Sequence, residues 1–231
     1  ESIIFSAGIS EISPRRLKQT FEAEVADRTP RDSFYHCLKN SAHQFHNKQE
    51  EDHYILAGYP WFKCRARDMF VSLPGLTLAV DEIGEFEDVM ETARKAINNY
   101  IKGEPIGCKI YEMDDPDVLL WAVWALQQYA KETSREQCRA KYGSLLEEII
   151  DFIRQRKHDN LFLHENGLLY ANGADRAITW MNSTVNGRPV IPRTGYIVEI
   201  NALWYNALRF IADLVREGGN GLLADSLDAQ A

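Results

Sequence analysis

The sequence predicts an all-α fold, arranged as about the first half of an α/α toroid, with one small β-hairpin. Helix-start and helix-stop signals recur along the 231 residues and mark roughly six helices. One-sided amphipathic helices alternate with helices that are apolar nearly all round, as expected for the outer and inner layers of such a fold. A closed double ring would need about twice as many helices, so the chain is interpreted as half a ring.

Capping residues and prolines set the bounds of the predicted helices. Thr29-Pro30 and Asp115-Pro116 each place a capping side chain before a proline, which is favoured at the first helical position. Pro74-Gly75 is expected to bend or end its helix, because proline lacks a backbone donor. The predicted helices cover, approximately, residues 29–48, 68–76, 85–101, 115–129, 134–156 and 197–215.

The segment LFLHENGLLY, residues 161–170, predicts the hairpin. Asn166-Gly167 supplies a left-handed turn between two short apolar strands. Residues 1–28 precede the first predicted helix and are interpreted as a lead-in or linker segment. The helical domain is then expected to occupy residues 29–231.

Composition excludes several classes of protein. The formal charge of −8 argues against a nucleic-acid partner, which requires a basic surface. No apolar run approaches the roughly 18 residues of a membrane span, so a water-soluble protein is expected. Four scattered cysteines without a CxxC pair favour reduced thiols. His36, His43 and His46 share one helical face, but no carboxylate or cysteine completes a metal set, and no metal or other cofactor is expected.

The first candidate site segment is AGYPWFKCRARDMFVSLPGL, residues 57–76. It combines large aromatic residues, three basic residues and an aspartate directly before an apolar helix. Asp68 is a candidate site carboxylate. The alternative is that Asp68 caps the helix while Arg65 and Arg67 are solvated.

Two further segments also differ from ordinary loops and helices. The loop ANGADRAITWMNSTVNGRPVIPRTG, residues 171–195, is long enough to suggest a function, or it is an Ω-loop pinned by Trp180. In YIVEINALWYNALRF, residues 196–210, Glu199 lies among apolar residues. A carboxylate there is costly unless it is paired or used, which makes Glu199 a candidate general acid. The alternative is a first-turn glutamate that complements the helix dipole.

The tryptophans fall in or beside these segments or on the fourth predicted helix. Aromatic rings beside carboxylates, amides and arginines are typical of carbohydrate pockets, in which rings cover the apolar faces of sugars. The alternative is that they fill a helical core. The five tryptophans are Trp61, Trp121, Trp124, Trp180 and Trp204.

These motifs resemble a known family, the glycogen debranching enzymes, in their α-1,6-glucosidase domain. AGYPWFKCRARDMFVSLPGL is similar to a family signature that leads from an AGYPWF-like start through Arg-Asp to SLPGL. DDPDVLLWAVWALQQY resembles the family's Asp-x-x-Leu-Trp helix. ITWMNSTVNGRPVIPRTGYIVEINALWYNALRF resembles its TWMDA…GRPVTPR.GK.VEINALWYNAL block. Together the matches span residues 57–210.

The resemblance implies an (α/α)6 toroid that releases glucose from α-1,6 branches of α-glucans with inversion, in the cytoplasm. It implies that Asp68 lies in the pocket for the terminal glucose, and the predicted catalytic positions are Asp68, Asn182 and Glu199. The expected ligand is an α-glucan oligosaccharide or glycogen, with no nucleic acid or membrane as partner. The predicted substrate-binding residues are Trp61, Arg67, Trp121, Asp175, Trp180, Arg193, Asn201 and Trp204.

Two departures from the family pattern matter. Asn182 replaces an aspartate associated with the general acid, and an amide cannot donate a proton at neutral pH. Either Glu199 or Asp175 supplies that proton, or the protein is a catalytically silent α-glucan-binding module. The catalytic base is expected beyond residue 231, which makes the chain an excerpt of a larger debranching enzyme.

A half ring would expose the apolar faces of its inner helices, so homo-oligomerisation through those faces is also expected. A helical scaffold without any sugar site is the third interpretation.

Overall fold

The computed structural model describes residues 3–5, 7, 13–58 and 61–231. Residues 1, 2, 6 and 8–12 of the predicted lead-in, and Tyr59 and Pro60 of the first motif, lie outside the described residues. The chain forms two compact units, residues 1–44 and residues 45–231. The boundary proposed at residue 28 stays a prediction.

The described part of the chain is mainly α-helical, with a few short strand pairs, so the predicted all-α class is confirmed at that level. The helices are α1 (Pro14–Asp27), α2 (Phe34–His43), α3 (Ala66–Leu76), α4 (Ile83–Lys102), α5 (Val118–Glu132), α6 (Arg135–Arg154), α7 (Val198–Glu217) and α8 (Gly221–Gln230). The strands are β1 (His46–Gln49), β2 (Asp52–Ile55), β3 (Cys64–Arg65), β4 (Ile110–Tyr111), β5 (Leu161–Leu163), β6 (Leu169–Ala171), β7 (Thr184–Val185) and β8 (Arg188–Pro189).

The first unit contains α1 and α2. The predicted helix over 29–48 is wrong at both ends, because the side chain of Ser33 accepts a hydrogen bond from the backbone N of His36 and caps α2 there. Thr29 instead precedes the helix, and its carbonyl accepts a hydrogen bond of 2.9 Å from the Asn40 side chain. Within the second unit, His46–Gln49 is a strand of an antiparallel pair rather than the end of a helix.

In the second unit, α5 lies at the centre of the helical packing. It contacts α3 on one side and α7 on the other, and it also packs against α6. Helix α6 contacts α4, and α8 packs against α7. Helix α5 is apolar enough for this position, since most of its residues are buried. Helix α7 was expected to be apolar nearly all round and buried on both sides, but one of its faces is solvent-exposed and includes Val198 and Tyr205.

Most predicted helix boundaries in this unit are confirmed to within a few residues. Ser134 caps α6 through a hydrogen bond to the backbone N of Gln137, and Gly103 ends α4 in the left-handed conformation. Helix α3 contains Pro74 and ends two residues later, at Leu76. Helix α5 begins three residues later than predicted, because Asp117, and not Asp115, occupies its N-cap position.

The predicted hairpin is confirmed, with Leu161 opposite Ala171 and Leu163 opposite Leu169. Gly167 has a φ of 80° and supplies the left-handed residue. The prediction of one hairpin is wrong, since β1–β2 and β7–β8 are also antiparallel pairs and β3–β4 is a parallel one. In the β7–β8 turn, Asn186 and Gly187 both have positive φ, at 51° and 75°.

The packing of α5 between α3 and α7 decides where a site can form. The three helices begin beside one another, so side chains from their first turns reach the same cavity. No helix in the described part of the chain is both long enough and apolar enough to cross a membrane.

Candidate functional site

A cavity of about 570 Å³ lies in the second unit where α3, α5 and α7 begin. Three carboxylates reach it, from Asp68 in the first turn of α3, Asp117 at the N-cap of α5 and Glu199 in the first turn of α7. Negative charge is favourable near helix N-termini, which suits these positions. The lining residues are Phe45, Ile55, Leu56, Ala57, Gly58, Arg67, Asp68, Val71, Ser72, Leu76, Asp117, Trp121, Trp180 and Glu199.

Glu199 is held by two donors from the 171–195 loop. Its Oε1 accepts hydrogen bonds from Arg193 Nη2 at 2.7 Å and from Trp180 Nε1 at 3.2 Å. Arg193 also contacts the sulfur of Met181, which fixes the guanidinium against the loop. The Glu199 side chain keeps 34% of its surface exposed. Among the described residues no group donates to Oε2, so the carboxylate is oriented by one oxygen while the other remains available.

Asp68 presents an unengaged carboxylate to the same cavity. The N-cap of α3 is Arg65 and no side chain caps this helix, so the interpretation of Asp68 as the cap is wrong. Over residues 13–58 and 61–231, no cation or hydrogen-bond donor contacts the Asp68 side chain. A carboxylate free to accept hydrogen bonds is what recognition of a hydroxylated ligand requires.

Arg67 lines the cavity, and the alternative in which it is solvated is wrong. It is buried, with 6% of its surface exposed. Its Nε and Nη2 donate to the two oxygens of Asp117 at 2.8 and 2.9 Å, and Nη2 also donates to Asp115 at 2.7 Å. Burial alone would lower the pKa of Arg67, but hydrogen bonds and charge from Asp117 and Asp115 outweigh it and hold that pKa above its ordinary value. Most of its donors are therefore used inside the protein.

This buried cluster connects the elements that carry the site. Arg67 Nη2 donates to the carbonyl of Ile178 at 3.1 Å, which ties α3 to the 171–195 loop. Arg176 of the same loop donates to Asp115 at 2.8 Å. Trp121 Nε1 donates to Asp117 Oδ2 at 3.2 Å, which orients the indole at the cavity. Arg67 thus positions the groups around the cavity, and its predicted contact with substrate stays a prediction.

Two of the predicted site residues lie elsewhere. Asn182 and Asp175 line a separate polar depression together with Arg65 and Glu112. None of these four residues lines the cavity that Asp68 and Glu199 share. The structure therefore does not bring Asn182 or Asp175 together with the other two catalytic candidates.

Four further predicted substrate contacts, Trp61, Arg193, Asn201 and Trp204, also lie outside the cavity lining. Arg193 contacts the site through its ion pair with Glu199. Asn201 exchanges two hydrogen bonds with the backbone of Leu169, at 2.8 and 2.9 Å. Trp204 donates to the carbonyl of Gly167 at 3.2 Å. Both side chains fasten the β5–β6 hairpin to α7, which leaves them little capacity for a ligand. Trp61 is 79% exposed. It follows the lining residues Ala57 and Gly58 in the sequence but does not line the cavity itself.

Sequence reasoning missed several residues of the cavity. Asp117 is the most important, because it links Arg67 to Trp121. Its signal is present in the sequence, since Asp117 and Trp121 are four residues apart and share a helical face. The apolar lining residues Phe45, Ile55 and Leu56 have no comparable signal, because Phe45 was expected within the first helix and the segment around Ile55 and Leu56 was assigned no element.

Metal binding has no support in the described ranges, 13–58 and 61–231. There, no three histidine, cysteine, aspartate or glutamate side chains are grouped so that they could hold a metal ion.

Comparison with known proteins adds one finding. A family model described as amylo-alpha-1,6-glucosidase matches residues 39–221, which include every residue of the cavity. No curated protein and no solved structure matches the chain.

Proposed function

The chain belongs to the amylo-alpha-1,6-glucosidase family, and from this premise we propose that it is a glycoside hydrolase domain acting on the α-1,6-linked branch glucose of glycogen-like α-glucans. The observation that carries the proposal is the cavity where Asp68 and Glu199 meet the indoles of Trp121 and Trp180. Carboxylates beside aromatic rings match the two sides of a sugar, its hydroxyls and its apolar faces.

Substrate binding is assigned to groups that are fixed before a ligand arrives. Trp121 and Trp180 each donate their indole N–H to a carboxylate, so both rings are held at the cavity. Asp68 accepts hydroxyl hydrogen bonds from the terminal glucose. The volume of about 570 Å³ lies within the range of ordinary small-ligand pockets and suits one or two sugar units.

Hydrolysis with inversion requires one carboxyl group that protonates the glycosidic oxygen and another that activates water on the opposite face. Water then forms a bond to C1 as the bond to the glycosidic oxygen breaks, and β-glucose is the product. Asn182 cannot supply a proton. Of the two carboxyl groups offered in its place, Glu199 borders the cavity and Asp175 does not, so the proton transfer is assigned to Glu199.

The helical packing supports a partial α/α toroid as the scaffold. Helices α3, α5 and α7 form a row of neighbours whose first turns face the cavity, and α4 and α6 pack as a second row. A ring assembled from such pairs would place the cavity among the starts of its inner helices.

A catalytically silent α-glucan-binding module is the second candidate. It is favoured by Asn182, because the family's aspartate is replaced by an amide that no proton transfer can use. This candidate keeps the same cavity and the same ligand, and it differs only in turnover.

Anomer-resolved NMR of the complete protein, which carries both the acid and the base that inversion requires, tests the proposal with a maltooligosaccharide that carries one α-1,6-linked glucose. We expect β-glucose as the first product, its loss in Glu199→Gln, and normal release in the control Glu148→Gln, an exposed glutamate on α6. Saturable binding without glucose release would favour the silent module. Release of α-glucose, or full activity of Glu199→Gln, would contradict the assigned mechanism.

A further inference from the structure

A second surface depression, of about 400 Å³, lies beside the β5–β6 hairpin. It shares no lining residue with the cavity described above. The proposed mechanism does not use it, and of its lining residues Tyr196 lies within one of the family-like motifs. Its lining residues are Arg156, His164, Glu165, Asn166 and Tyr196.

The aromatic side of this depression is rigidly built. The His164 and Tyr170 rings are stacked, with centroids 5.3 Å apart and an interplanar angle of 11°. The Tyr196 ring stands at 89° to both. The Tyr196 hydroxyl and His164 Nδ1 share a hydrogen bond of 2.7 Å. Tyr196 is nevertheless 47% exposed, so a fixed aromatic surface is presented to the solvent.

Two groups on the polar side of the depression, the Arg156 guanidinium and the Glu165 carboxylate, are not committed elsewhere among the residues that the structure describes, whereas the Asn166 Oδ1 already accepts a hydrogen bond from the backbone N of Leu168. In the described part of the chain, neither Arg156 nor Glu165 takes part in an ion pair. Arg156 follows the C-terminal end of α6 with a φ of 56°, a conformation for which glycine is the usual residue. The Asn166 amide lies 3.5 Å from the Tyr196 hydroxyl. A cationic donor, an anionic acceptor and an amide therefore surround the Tyr196 ring.

We propose that this depression, defined by Arg156, His164, Glu165, Asn166 and Tyr196, is an accessory binding site for α-glucan chains. The Tyr196 ring covers the apolar face of a glucose unit, while Arg156, Glu165 and Asn166 form hydrogen bonds with its hydroxyls. One arginine and one glutamate leave the site without net charge, which favours a neutral hydroxylated ligand over an anion or a cation. The inference rests on the proposed function, since that function supplies the ligand class.

The position of Tyr196 connects the two sites. Tyr196 immediately precedes the N-cap of α7, Ile197, and Glu199 lies in the first turn of the same helix. A glucan long enough to occupy both the cavity and this depression binds more tightly without any new contact at the cavity. Once one end of the chain is bound, binding of the other end is intramolecular. A short oligosaccharide occupies only one of the two sites.

Glycogen affinity electrophoresis of the 231-residue chain tests the accessory site. For Tyr196→Ala we expect a three- to tenfold loss of glycogen affinity, about the value of one aromatic stacking contact. The control Tyr205→Ala removes a tyrosine of similar exposure, 55%, from α7 and is expected to bind like the parent. Tyr196→Phe keeps the ring and should retain most of the affinity. Circular dichroism verifies that each variant is folded.

A second titration separates this proposal from the proposed function. A short branched maltooligosaccharide should bind Tyr196→Ala within twofold of the parent, because it needs only the cavity. Equal losses for short and long ligands, or no change for glycogen, would overturn the accessory site while the cavity's function stands. Absence of binding to any glucan by the parent chain would overturn both.

Discussion

Arg67 shows at the residue scale how much of the site depends on buried charge. It donates hydrogen bonds to both Asp115 and Asp117, and without it the Trp121 indole would be the one remaining partner of the Asp117 carboxylate among the described residues. We expect Arg67→Met to lower the free energy of unfolding by about 3–5 kcal/mol, as when one member of a buried ion pair is deleted. Urea denaturation measures this loss. The exposed pair of Arg209 and Asp228 provides the control, since Arg209→Met should cost below about 1 kcal/mol.

A loss below about 1 kcal/mol in Arg67→Met would mean that the buried cluster does not hold the site together.

Asn182 allows a second test at the same scale. If Asn182 occupies the position of a lost general acid, Asn182→Asp should raise the rate of glucose release from the branched oligosaccharide. The dissociation constant of the oligosaccharide should change little. The rate of β-glucose formation measures the effect. No gain in rate would assign the proton to another group, in agreement with the position of Asn182 outside the cavity.

The sequence could identify the carboxylates of the site and could not assign the roles of its neighbours. Asp68 and Glu199 stand out as carboxylates beside apolar helix residues, and both border the cavity. Asn201 and Trp204 lie in the same motifs, yet their polar atoms are used within the protein. A motif gives the spacing along the chain, but only tertiary packing decides whether a side chain faces the ligand or the core.

At the element scale, the 171–195 loop depends on a close backbone approach at Gly173. A Cβ added there would lie 2.5 Å from the carbonyl oxygen of Arg193 and 2.7 Å from the Ile178 side chain. We expect Gly173→Ala to displace the segment that holds Glu199, to cost about 1–3 kcal/mol of stability and to weaken glucan binding. Thermal unfolding and glucan titration measure the two effects.

Gly143 on α6 is the matched control, because the nearest atom to its added Cβ is 3.4 Å away. Gly143→Ala should leave binding unchanged and stabilise the helix by roughly 0.5–1 kcal/mol. If Gly173→Ala were as stable as the parent and bound glucan equally well, the close backbone contact between Gly173 and Arg193 would not be needed to hold the loop.

Element prediction succeeded where local signals are strong and failed where tertiary contacts decide. Ser134 and Gly103 fixed the ends of α6 and α4 correctly. The β7–β8 hairpin was missed although Asn186-Gly187 is a strong turn signal, because its two-residue strands carry no apolar alternation. Thr29-Pro30 resembles a helix start, but Ser33 supplies the actual cap four residues later.

At the scale of the whole molecule, His158 couples stability to pH. It is buried, and desolvation lowers its pKa to about 4, against the opposing charges of Asp159 and Asp114. Because the unfolded chain takes up this proton near pH 6.5 and the folded chain only near pH 4, stability is lost as pH falls between these values. Over the whole range from pH 6.5 to pH 4, the free energy of unfolding falls by about 3 kcal/mol.

His158→Asn isolates this contribution, since asparagine keeps an acceptor for the backbone N–H of Asn160. The difference in unfolding free energy between pH 7 and pH 5 should be smaller in the variant by about 2 kcal/mol. Urea denaturation at the two pH values provides the measurement. Equal differences in the two proteins would show that His158 titrates normally when folded.

The all-α class and the central placement of the fourth predicted helix follow from the sequence, because apolar surface on every side requires neighbours on every side. Closure of a ring does not follow, since it depends on how successive helix pairs rotate about one another. The family match and the cavity together lead to one central claim, that the first turns of α3, α5 and α7 form an α-glucan site.

Calorimetric titration of the chain with a maltooligosaccharide carrying one α-1,6-linked glucose tests that claim most directly. We predict saturable binding that weakens about tenfold or more in Asp68→Asn, because a carboxylate accepts stronger hydrogen bonds from hydroxyls than an amide does. Asp151→Asn, at an exposed position on α6, should bind like the parent. Absence of saturable binding, or an equal dissociation constant for parent and Asp68→Asn, would contradict the account.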